Sequence, residues 1–149
     1  MPLKCEIVTQ ERTVFNGDAD YVSLPGQEGM LGILPNHSPL LTTLAFGEVY
    51  VRHQGETLYF AVGGGFAEVQ PDKVIVLADS AERADEIDLE RAAAARERAK
   101  KEMQEGTPKD PTSYQAMEDA LRRAKIRMTV ATRRSSRSRS GPPGFGGQH

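Results

Sequence analysis

The sequence has a single cysteine, no tryptophan and few aromatic residues, 6% of 149. One cysteine excludes an internal disulfide and a cysteine-based metal cluster. No apolar run approaches the roughly 20 residues that cross a bilayer, which excludes a spanning helix. The opening residues Met1-Pro2-Leu3-Lys4-Cys5 have neither the charged-then-apolar layout of a signal peptide nor a transit-peptide composition. These absences predict an intracellular soluble chain. Also missing are a nucleophile beside a base, paired carboxylates within one motif, and metal-ligand spacing among His37, His53 and His149. An enzyme reading therefore finds no site to rest on.

What the chain does have is divided unevenly. Residues 1–80 hold 4 basic and 10 acidic residues, whereas residues 81–149 hold 15 basic and 11 acidic. Such a split predicts two units with different partners.

The first unit reads as β. In Leu3-Lys4-Cys5-Glu6-Ile7 apolar and charged residues alternate with the period of a half-buried strand. Further short runs follow at 12–16, 20–24, 47–52, 58–62, 66–70 and 74–78. Turn signals separate them: Asn16-Gly17, Pro25-Gly26, Pro35-Asn36, Gln54-Gly55 and Pro71-Asp72. Short strands so punctuated predict an antiparallel sandwich or barrel. The run Gly63-Gly64-Gly65 leads from strand to strand with no Lys-Ser/Thr beside it. It reads as a backbone bend or bulge, not a phosphate loop.

Near residue 80 the composition changes. From Asp88 to Met103 the residues are mostly Leu, Ala, Arg, Glu and Lys, strong helix formers, with Asp88 placed as N-cap. Gly106-Thr107-Pro108 ends this helix. Ser113 caps a second helix to about Thr132, with an apolar stripe of Tyr114, Met117, Leu121, Ala124, Met128 and Ala131. The short connection makes an antiparallel hairpin. Its first helix offers mainly Leu89, Ala92, Ala95, Ala99 and Met103. Alanine methyls bury little surface, so the hairpin alone is marginal and needs docking on the β unit, a ligand or another protein. Residues from Ser135 onward are rich in Ser, Arg and Gly and predict disorder.

Three segments resemble a known family. They are Gly29-Met30-Leu31-Gly32-Ile33-Leu34-Pro35-Asn36-His37-Ser38-Pro39-Leu40-Leu41, then Gly64-Gly65-Phe66-Ala67-Glu68-Val69, then Val74-Ile75-Val76-Leu77-Ala78. Together with the hairpin they resemble the epsilon subunits of F-type ATP synthases, over residues 3 to about 134. The resemblance implies a β-sandwich of about ten strands over residues 1–84 and a helical hairpin over 85–134, with 135–149 as a disordered tail. It further implies a non-catalytic place in the central rotor stalk at the cytoplasmic face of a bacterial plasma membrane. The sandwich would there meet the gamma subunit and rest on the c-ring, with Glu28, Met30 and His37 in the ring-facing loop. The hairpin would extend to the alpha and beta catalytic subunits and block ATP hydrolysis. For His37 the residues alone suggest a loop hydrogen-bonder.

Ile87-Asp88-Leu89-Glu90-Arg91-Ala92 resembles the box with which ATP-binding bacterial members open the first helix. Glu82, Arg98, Arg123 and Arg127 match the remaining positions of that regulatory ATP site. Arg91 and Arg98 are two turns apart on one helical face, and Arg123 and Arg127 one turn apart on the other helix. Guanidinium groups from both helices could converge on a polyphosphate, while Asp88 and Glu82 meet the base or order the arginines. ATP is thus a regulatory ligand in this reading, and no cofactor is required. The alternative reading is an accessory nucleic-acid-binding protein acting through Arg133, Arg134, Arg137 and Arg139 of the basic tail.

Overall fold

A computed structural model describes residues 2–105 and 111–139, the side chains of 111–112 and 134–139 excepted. Eight strands precede two helices: β1 Leu3–Val8, β2 Thr13–Ala19, β3 Tyr21–Gly26, β4 Gly29–Ile33, β5 Leu40–His53, β6 Glu56–Gln70, β7 Lys73–Ala78 and β8 Ala81–Arg83. A 3-10 turn at Ala84–Glu86 leads into α1 Leu89–Glu105, and α2 spans Pro111–Arg139. The strands are hydrogen-bonded in the order β2-β1-β7-β6-β5-β3-β4, with β8 on β6. All pairs are antiparallel except β1 with β7, which run parallel from Lys4↔Lys73 to Val8↔Leu77.

The path folds over on itself. Phe15 of β2 lies far from β6 along the sheet order, yet its ring centroid is 5.6 Å from that of Phe60. Alternate residues of β1 (Leu3, Cys5, Ile7), β7 (Val74, Val76), β5 (Val49, Val51) and β3 (Val22, Leu24) close one core. Burial in it pushes the Cys5 thiol up to about 12.

Eight continuous strands stand where ten are expected, and the longest of them, β6, serves twice. The first half of β6 pairs β8 at Phe60–Val62, and its second half pairs β7 at Gly65–Gln70. Between the halves Gly64 and Gly65 have φ of 85° and 109°, the bend that the glycine run announces. The alternation does not announce β4, which carries Gly29 and Gly32 and is mostly exposed, or the three-residue β8.

Two expected turns lie inside strands instead. Asn16-Gly17 falls in β2, where Gly17 faces Cys5 and leaves room for the Phe15 ring, 3.1 Å from where a Cβ would stand. Pro25-Gly26 ends β3, and the turn follows at Gln27-Glu28. Gln54-Gly55 does form the β5–β6 turn, with φ of 50° and 82° that match the twist of a two-residue hairpin. Pro71-Asp72 turns between β6 and β7.

At the hairpin, Asp88 is the cap expected: its Oδ1 accepts the Arg91 N–H at 3.1 Å. Ser113 is not the start of α2, which begins at Pro111, a residue suited to a first helical position. The helix also passes Thr132 and continues to Arg139. Of the tail expected to be disordered from 135 to 149, residues 135–139 instead continue α2, while 140–149 and the connection at Gly106-Thr107-Pro108 lie outside the described residues.

Candidate functional site: the docked hairpin and its arginines

The hairpin lies against the sandwich through a second, smaller apolar cluster. Ala61 of β6, Ala84 of the 3-10 turn, Ile87, Ala92 of α1, and Val130 and Ala131 of α2 are buried there, with Tyr59, Ile126 and Met128 packed around them. The expected seam accounts for part of this. Ala92, Ala99, Ala124 and Ala131 are buried, whereas Leu89 and Tyr114 are exposed and Met117, Leu121 and Met103 only half-buried. Val130 and Ile126 form a second stripe that the narrow seam leaves out. That stripe meets the sandwich, so α2 has two apolar contacts where a coiled-coil partner would need one. Marginal packing between alanines is completed by docking on the β unit.

Ionic contacts border the cluster. Arg127 donates from Nε to Glu82 Oε1 at 2.7 Å and from Nη2 to Oε2 at 3.1 Å, a forked pair between α2 and β8. Arg133 makes a second fork onto Glu48 of β5, at 3.1 and 3.3 Å. The bond to Glu48 holds the Arg133 guanidinium above its ordinary pKa. A third fork runs from Arg12 to Glu86, at 2.8 and 3.1 Å, and ties the β1–β2 connection to the 3-10 turn. Glu86 also accepts the Arg83 N–H at 3.0 Å. The hydrogen bond from Arg12, then that from Arg83, keeps its carboxyl below the usual range. Sequence reading missed Arg12 and Glu48 and assigned Arg133 to a basic tail, because partners 74 and 85 residues apart leave no local pattern.

Each residue of the expected nucleotide site can now be placed. Glu82 and Arg127 are joined. Arg123, one turn before Arg127, sets its guanidinium carbon 5.5 Å from the Phe46 ring centroid, a cation–π contact. Ile87 is buried in the docking cluster, a packing role. Asp88 caps α1. Arg91 and Arg98 are exposed on α1, and among the described residues their side chains have no hydrogen bond or ion pair. The arrangement offers free cations on one helix and a neutralised one on the other. A polyphosphate reaching Arg127 must share or displace Glu82.

In the loop segment, Glu28 stands exposed in the β3–β4 turn and Met30 exposed on β4. His37 lies beyond, its Nδ1 2.7 Å from the Ser38 carbonyl oxygen, the loop hydrogen bond expected of it. The loop is anchored where the Asn36 N–H donates to the Pro71 carbonyl at 2.8 Å. Among the described residues no group of three or more His, Cys, Asp or Glu could hold a metal ion, and no helix is long and apolar enough to cross a membrane.

Comparison with known proteins agrees with this division of the chain. The family described as "ATP synthase, Delta/Epsilon chain, beta-sandwich domain" matches residues 2–84, and its "long alpha-helix domain" matches 85–132. The chain belongs to the bacterial-type ATP synthase epsilon-chain family. The ATP synthase epsilon chain of Herpetosiphon aurantiacus is 47% identical over 137 residues, covering 92% of this chain and 99% of that one. The epsilon chain of Dehalococcoides mccartyi is also 47% identical, over 132 residues, covering 89% and 94%. The fold is shared with a chain of the Euglena gracilis mitochondrial ATP synthase (OSCP/F1/c-ring), with a TM-score of 0.73, 24% identity, and 84% and 78% coverage. It is also shared with a chain of the Tetrahymena thermophila central stalk/c-ring structure, with a TM-score of 0.63, 12% identity, and 88% and 97% coverage. An epsilon chain is a non-catalytic component of ATP synthase. The nucleic-acid reading gains no support from these relatives.

Proposed function

We propose that this epsilon chain works in the central stalk of a bacterial ATP synthase, at the cytoplasmic face of the plasma membrane. The sandwich binds the gamma subunit and sets its Glu28, Met30 and His37 loop toward the c-ring. The hairpin leaves its docked posture to reach the alpha and beta subunits and inhibit ATP hydrolysis. The observation that carries this reading is the small docking contact. Two helices rest on the sandwich through mostly alanine-sized side chains and two forked ion pairs. Such a contact comes apart without disturbing either unit's own hydrogen bonding. Removing residues 88–149 is expected to raise ATP hydrolysis by the assembled complex. Unchanged hydrolysis would remove the inhibitory half of the proposal.

ATP is the ligand proposed to hold the hairpin down, on Arg91, Arg98, Arg123 and Arg127, with Glu82, Ile87 and Asp88 completing the site. Arg91 and Arg98, exposed and without an ion pair among the described residues, support it. At a hundred times its dissociation constant a nucleotide adds about 2.7 kcal/mol to the closed form, enough to decide the posture of a marginal element. Calorimetric titration of the chain with ATP should give a binding isotherm. Each charge-assisted bond contributes about 1.5–3 kcal/mol, so Arg91→Ala or Arg127→Ala should weaken binding by about tenfold or more. If neither does, the assignment of these arginines fails.

A further inference from the structure

Of the two forks that fasten α2 to the sandwich, the outer one stands apart. Arg127 belongs to the proposed nucleotide site, but Arg133 lies beyond it and one residue past the stretch that the family's helix domain matches. Its partner Glu48 sits mid-strand on β5, between buried Gly47 and Val49 and opposite Ala61 of the docking cluster. The Glu48 side chain keeps only 16% of its surface exposed, against 51% for Arg133. In the docked state a carboxylate so enclosed is poorly hydrated, and the forked guanidinium takes the place of that water. Tyr59, on the neighbouring strand, completes the seat: the Arg133 guanidinium carbon is 5.8 Å from its ring centroid. That ring is fixed in turn by Tyr50, at 5.9 Å, and by the docking cluster. A rigid acidic strand position, an aromatic floor and a forked cation thus meet at one point of α2.

We propose that Glu48, Tyr59 and Arg133 form an ionic latch that holds α2 on the sandwich without nucleotide, so that ionic strength as well as ligand sets the hairpin's posture. The latch rests on the reading of the hairpin as a movable element. It is independent of ATP, because none of its members belongs to the nucleotide site. Its strength falls with salt, since the attraction acts near the surface and is screened over about 10 Å at 0.1 M and about 3 Å at 1 M.

Hydrogen-exchange mass spectrometry of the full chain, with no nucleotide and no other subunit, tests it. Exchange at 124–131 should quicken by about fivefold between low salt and 0.5 M, the range expected of a single well-formed pair. Glu48→Gln and Arg133→Gln should each show faster exchange already at low salt, with a smaller further response to salt than wild type, the part that the Arg127–Glu82 fork contributes. The double variant should be no faster than either single one, because both remove the same contact. Exchange in β1 and β7 should stay slow throughout, and Arg133→Gln leaves the sandwich itself unaltered. Wild-type exchange rates in Arg133→Gln at low salt, or additive effects in the double variant, would overturn the latch. The readout contains neither ATP nor catalytic subunits, so it separates failure of the latch from failure of the inhibitory reading.

Discussion

At position 65 the backbone has φ of 109°, and a Cβ would meet the carbonyl oxygen of Leu77 and lie 2.8 Å from the Ala78 Cα. Neither obstacle is the end of a flexible side chain. Gly65→Ala should therefore destabilise the sandwich by more than about 3 kcal/mol, read as a lowered denaturant midpoint. Gly55 is a useful contrast, with φ of 82° but open space around it. Gly55→Ala should cost only about 1 kcal/mol, the strain of a left-handed alanine. The bend at 63–65 was legible because three glycines in a strand context have few other uses. Gly17 was misleading because it serves as a small residue within a strand, making room for the ring of Phe15 two residues earlier, and a preceding asparagine then imitates a turn. Among the site residues, the cap at Asp88 was legible for a local reason. The fork from Arg133 to Glu48 was not, since nothing near either residue marks the other.

Elements show the same division between near and far causes. Helix α1 declares itself through composition and its cap, whereas the second apolar stripe of α2 at Ile126 and Val130 has meaning only against Ala61 and Ile87. The short 3-10 turn at 84–86 is held by what it touches: Arg12 of the β1–β2 connection and the Arg83 N–H both bind Glu86. Because the folded carboxyl is more acidic than the unfolded one, near 4.3, this contact stabilises the protein at neutral pH. That contribution fades as pH falls below about 5 and through the lower folded value. Both side chains are well exposed, so the effect is small. Glu86→Gln should be slightly less stable than wild type at pH 7, and the difference should vanish in acid. Thermal melts across that range check the sign; a difference that grows toward low pH would contradict it.

For the whole molecule, the division into an acidic and a basic part predicted two units with different partners. In the docked state the units also meet each other. Hairpin arginines meet sandwich carboxylates at Arg127–Glu82 and Arg133–Glu48. Composition announces the opposite charges of Arg133 and Glu48 but not that they face one another, and Glu82 lies within the basic part of the count. The parallel pairing of β1 with β7 has a consequence for how the protein is made. Of the eight strands β1 emerges first and can pair with β2 at once, but its second neighbour, β7, arrives only after residue 78 has emerged, so one flank of β1 waits while most of the sandwich is synthesised. The hairpin is translated after the sandwich and lands on a finished platform. A nascent chain halted before β7 leaves one flank of β1 unpaired and sticky, whereas one halted just after β8 already carries every strand it needs.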